Sequence, residues 1–98
     1  MLKREDFVFC IGYQGDAAIV DGRLKKAYRS LSTAELLEKG LYRAAFSSAI
    51  FNEDEEEIML VVNTWNQMTG ASMKTSEEMK RLLGIFSVPA DITKVITL

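Results

Sequence analysis

The apolar positions of this 98-residue chain fall into short runs, each separated from the next by helix-start or turn signals. Phe7-Val8-Phe9-Cys10-Ile11-Gly12 is apolar on both faces and rich in aromatic and branched side chains. That predicts a strand over 7–12, covered on both sides and ending at Gly12. Gly12-Tyr13-Gln14-Gly15-Asp16 then reads as a tight loop, and two readings compete for the segment after it. In a hairpin, Ala17 to Val20 is the return strand and Asp21-Gly22 a second turn. In a helix, Asp16 is the N-cap and Ala17, Val20, Leu24, Ala27, Tyr28 and Leu31 form one stripe at spacings of three and four. The helix is preferred, because Arg23 to Tyr28 does not alternate as a strand would, although Gly22 inside it costs about 1 kcal/mol relative to alanine.

Ser32 and Glu35 stand in capping-box register, and Leu31 and Leu36 occupy the two positions of a hydrophobic staple, so a helix begins at Thr33. It either stops at Gly40 or runs on to about Phe51 through Leu37, Leu41, Ala44, Ala45 and Ser48. The continuous helix is favoured, with Gly40, Ala44, Ala45, Ser48 and Ala49 letting a neighbour approach closely. Asn52 is expected to cap the next helix, with Glu55 at its third position and carboxylates in the first turn favoured by the helix dipole. Ile58, Val61, Val62, Trp65 and Met68 give that helix one buried face as far as Gly70, with Trp65 as a core anchor. Thr75 and Glu78 form another capping box before Met79, Leu82, Leu83 and Phe86. Pro89 blocks continuation, and Ile92 to Leu98 is β-branched, as a strand would be. The predicted fold is a mainly helical α+β domain over 1–98: an N-terminal strand, about four helices and a C-terminal strand, the terminal strands pairing into a small sheet.

Composition narrows the chemistry. The chain contains no histidine, one cysteine and one proline, so the side chain that most often carries protons near neutral pH and ligates metals is missing. Without it, Ser47, Ser48 or Cys10 would need a carboxylate or lysine base, and no such pair is placed by spacing. An all-oxygen metal site is unmarked too: Asn52-Glu53-Asp54-Glu55-Glu56-Glu57 lacks the glycine and the alternating ligands of a calcium loop. No metal, cofactor or catalytic residue is assigned. Cys10 sits in an apolar run and reads as an inert, buried thiol. No apolar run approaches the ~20 residues of a membrane span and no leader-like opening is seen, so a cytosolic protein without membrane contact is expected.

The net charge of −2 argues mildly against a general nucleic-acid binder. The charge is uneven, however: residues 1–29 carry six Lys/Arg against four Asp/Glu, and residues 30–98 carry six against ten. Arg23, Lys25, Lys26 and Arg29 are the candidate phosphate contacts, set against a plain solvated helix face. Gly12 and Gly15, after an apolar strand and before a possible helix, are a candidate ligand loop, but their spacing is incomplete and the Asp16 carboxylate would repel a phosphate. A helix-turn-helix over 33–51 is weaker still, since Leu41-Tyr42-Arg43-Ala44-Ala45 offers few base-reading side chains. Met59, Met68, Met73 and Met79 with Tyr42, Phe46, Phe51 and Trp65 read as core filling. Leu36, Leu60, Ile50 and Ile85 fall beside the main apolar faces, and such a surplus marks an interface. The expectation is a cytosolic, non-catalytic interaction module that binds a protein partner or itself through helix faces, most simply as a homodimer. Nucleic-acid binding through residues 23–29 is the alternative, and a small-molecule or nucleotide sensor at Gly12 to Asp16 is the third.

Overall fold

The chain enters as a short helix, where the apolar run predicted a strand. In the computed structural model, which describes residues 2–98, Arg4–Val8 form helix α1 and strand β1 (Cys10–Gln14) starts only after it. A short apolar run is compatible with either element, and here burial decides: Phe7, Val8 and Phe9 go into the core while β1 emerges toward the surface. Gly15, at φ 61°, makes the two-residue hairpin turn with Asp16 that leads into β2 (Ala17–Val20). The helix expected from Asp16 is thus displaced to α2 (Gly22–Tyr28), with the Asp21 carboxylate as its N-cap, accepting from the Arg23 and Leu24 amides at 3.1 Å. Residues 17–20 follow the hairpin reading and residues 22–28 the helical one.

The terminal segments do not pair with each other as expected. Strand β3 (Lys94–Thr97) runs parallel to β2, so the sheet order is β1-β2-β3 and β2 lies at its centre. Asp16 fixes that choice. Its carbonyl accepts from the Thr93 and Lys94 amides at 2.9 and 3.2 Å, and its carboxylate accepts from the Thr93 hydroxyl at 2.9 Å. At the other end, Gly22 lies so close to β3 that a Cβ there would meet Thr97 Cγ2 at 2.7 Å and crowd the Leu98 carbonyl.

Helix α3 (Thr33–Glu38) starts on the predicted capping box, with both reciprocal bonds formed. It does not continue to Phe51. Gly40 takes φ 75°, its amide donates to Leu37 O at 2.9 Å, and the Leu41 amide donates to Leu36 O at 3.0 Å, the paired closure that ends a helix at a left-handed glycine. Helix α4 (Tyr42–Asn52) therefore starts afresh, and α5 (Glu55–Thr69) comes next through Glu53, itself left-handed at φ 53°. The α5 cap is Asp54, not Asn52: its carboxylate accepts from the Glu56 and Glu57 amides. Helix α6 (Ser76–Leu83) forms without a side-chain bond from Thr75, so the second predicted capping box is absent, and Gly84 closes it at φ 70°.

Helix α4 is the hub, packing on α1, α3 and α5, with six consecutive residues from Ala45 to Ile50 buried. Phe46, Leu36, Met79, Val20, Val61 and Val62 are the largest fully buried apolar side chains of the core. Leu36, Ile50 and Ile85, expected as interface surplus, belong to this core, and only Leu60 of that set is exposed. Trp65 is half-buried, edge-on to Tyr42 at 5.3 Å, and is a surface wall instead of a core anchor.

Polar atoms thread the same core. Arg4 Nη2 donates to Ser48 Oγ at 2.8 Å and to Leu31 O at 2.7 Å, the Ser48 and Thr33 hydroxyls are 2.7 Å apart, and Thr33 donates to Glu57 Oε1 at 2.8 Å. Ser48→Ala is expected to destabilise by about 1–3 kcal/mol in chemical denaturation, since it breaks this chain at a buried point. Gly22→Ala should cost about 1–3 kcal/mol through the clash with β3 and speed hydrogen exchange of the β3 amides. Gly12→Ala, whose Cβ would enter open space, should leave stability nearly unchanged.

Candidate functional site

The four basic residues of α2 and its C-cap do not form one surface. Lys25, Lys26 and Arg29 ring a shallow depression of about 360 Å³ with Gly22 and Thr97, whereas Arg23 lies beside Ile11, Asp21 and Leu98. Within the depression, Lys25 Nζ sits 2.7 Å from Asp6 Oδ1, a carboxylate largely buried on α1. Its charge is already matched. Two cations, Lys26 and Arg29, remain to meet a phosphate there, and each phosphate contact adds only a modest, salt-sensitive increment.

Gly12 and Gly15 have conformational duties. Gly15 supplies the positive φ of the hairpin turn, and a strand comes after it where the ligand-loop reading needs a helix N-terminus. Gly12 stands after the bulge between Cys10 and Gly12, where the β1–β2 register shifts. The two glycines are not brought together around a common cavity; Gly12 alone lines one.

That cavity shares Cys10 and Arg43 with a second concavity along β1. The first, about 330 Å³, lies between β1, α4 and the segment after α6, and collects Cys10, Tyr13, Arg43 and Ser47 beside Phe7, Ile85 and Phe86. The second, about 400 Å³, is an apolar groove walled by Val8, Phe9, Leu24, Leu41, Trp65 and Leu83, with Ile11, 57% exposed, on its lip. Arg43 Nη1 donates to Leu83 O at 2.5 Å, which places a cation at the negative end of α6. Ser47 is only 4% exposed as a residue, and its hydroxyl, without a side-chain bond to the described residues, opens to the cavity: none of their buried polar atoms is left unsatisfied.

Cys10 is half-buried and not core, and its thiol donates to Gly12 O at 3.0 Å. Burial, reinforced by the neighbouring Cys10 sulfur and opposed by the Arg43 charge, pushes the Tyr13 phenol up to about 12. Tyr13 thus stays protonated and able to donate throughout the physiological range. No carboxylate lines the cavity among the described residues. Its groups donate hydrogen bonds and supply one positive charge; no ionised base is present to take a proton. Sequence reasoning missed Tyr13 and Arg43 and weighed Ser47 only as a nucleophile, because they lie on β1 and α4, and no spacing rule links a strand to a distant helix.

The raised Tyr13 value has a testable sign. Folding protects the neutral phenol, so its contribution is fully present below pH 10 and is lost as pH rises through about 12. In a spectrophotometric titration, one of the three tyrosines should ionise late, near pH 12, and Tyr13→Phe should remove that late phase. Comparison of the chain with protein-family models, with curated proteins and with solved structures finds no match.

Proposed function

We propose that this protein is a small, non-catalytic, cytosolic interaction module that works as a homodimer, two copies joining along β3. The carrying observation is the state of that strand. All four residues of β3 are exposed, Val95 at 41% and Ile96 at 45%, and its side away from β2 has no strand partner among the described residues. Native edges are usually blunted by proline, a bulge, a covering element, a charged side chain or short length, and β3 has the last two in Lys94 and its four residues. β1 carries such a bulge; β3 has neither proline nor bulge.

An antiparallel pairing of β3 with itself satisfies two-fold symmetry by construction. Centred on Ile96, it sets Ile96 opposite the second copy's Ile96, Val95 opposite Thr97 and Lys94 opposite Leu98, so apolar meets apolar at the centre and no like charges face each other. The result is a six-stranded sheet. The unpaired Cys10 fits a reducing compartment.

A second reading, phosphate contact through Lys25, Lys26 and Arg29, rests on their shared depression. Size-exclusion chromatography with light scattering, at low and high salt, separates the two. The homodimer should elute at twice 11.0 kDa in both, and Ile96→Lys should give a folded monomer. A wild-type monomer overturns the dimer, and a monomer carrying nucleic acid that salt strips away establishes the second reading.

A further inference from the structure

We infer that the cavity between β1 and α4 is a binding site for a small organic monoanion, its acid group held by Arg43 and Ser47 and its apolar body against Phe7 and Phe86. The two adjacent serines of α4 carry the argument. Ser48 is fully buried and its hydroxyl is bonded to both Arg4 and Thr33. Ser47, its immediate neighbour and almost as deeply buried as a residue, makes no side-chain hydrogen bond among the described residues, and since none of their buried polar atoms is left unsatisfied, its hydroxyl oxygen is open to the cavity it lines. The Ser48 hydroxyl is spent inside the core, whereas the Ser47 hydroxyl is free to bond whatever enters the cavity.

The walls define that partner. Arg43 is the single charged residue of the lining, and no described carboxylate lies within salt-bridge distance of it. One guanidinium nitrogen is anchored on Leu83 O, which fixes the group while leaving its other donors free for an acid oxygen. Tyr13 adds a phenol that keeps its proton at physiological pH. Several donors and one positive charge match one carboxylate; a phosphate dianion would call for a second cation. Phe7, Ile85 and Phe86 supply the apolar side. A volume of about 330 Å³ is at the small end of ligand sites, suited to a single ring or a branched chain.

Thermal denaturation and calorimetry with benzoate, and with benzamide as the neutral isostere, test this. Benzoate should raise the melting temperature of the full chain in a concentration-dependent way, and benzamide should not. Arg43→Gln should abolish the shift. Ser47→Ala, which removes one hydroxyl and suits a helix, should keep the ligand-free melting temperature close to wild type and weaken benzoate binding about tenfold. No shift with benzoate, an equal shift with benzamide, or undiminished binding in Ser47→Ala overturns the site. Ser47→Ala decides alone if Arg43→Gln does not fold.

Discussion

The fold turns on how α4 is wrapped on every side without stranding a polar group. A helix buried through six consecutive positions leaves little room for its polar side chains: Ser47 opens to the cavity beside β1, and Ser48, fully buried, needs partners inside. The solution is a directed chain. Arg4 can only donate and Glu57 can only accept, which sets the hydroxyls between them in one order: Arg4 to Ser48, Ser48 to Thr33, Thr33 to Glu57. Asn52 donates to the same Glu57 oxygen at 3.0 Å. The charges sit at the partly exposed ends and only neutral hydroxyls lie deep, so the desolvation of full charges is avoided. Four helices, α1, α3, α4 and α5, are tied by groups that are 15 to 44 residues apart in the chain.

Successive helix positions are rotated by roughly 100°, so the residue beside Ser48 must face elsewhere. Ser47 faces the β1 side, where Arg43, one turn earlier, also lies. The element that completes the core thus builds one wall of the cavity. The other wall depends on β1 rising out of the core after Phe9, and on the bulge before Gly12 that opens space beside Tyr13. A flat, regular β1 would close that space.

Much of this was legible in the chain. The Ser32–Glu35 box, the apolar face of α5 at Ile58, Val61 and Val62, and Met79 of α6 are local patterns that the fold keeps, whereas the Thr75–Glu78 box does not form and the α5 cap moves from Asn52 to Asp54. The mainly helical α+β class came from them. What failed was choice between equals. Phe7-Val8-Phe9 fits a buried helix as well as a strand, and the contact with α4, which decides, leaves no periodic trace. Gly40 was weighed against a seam of small residues; that seam belongs to α4 alone, and the left-handed closure at Gly40 won. The strand partner of β3 depended on Asp16, which reads locally as a helix cap and acts at long range as an anchor. The Arg4–Ser48–Thr33–Glu57 chain and the Tyr13–Arg43–Ser47 cavity have no sequence signature, because each is made by packing of remote elements.

The absence of histidine takes on a more specific meaning beside the geometry. Around the cavity, the thiol of Cys10 is committed to Gly12 O, the Tyr13 phenol is held neutral, and the Arg43 guanidinium is anchored on Leu83 O. The cavity lining holds no histidine, the side chain that most often serves general acid–base catalysis near neutral pH. Such a site suits recognition, and it complements an edge strand whose main-chain groups are indifferent to pH. The cavity wall and the open edge strand share β2 as their common support: β1 is paired on one side of it and β3 on the other.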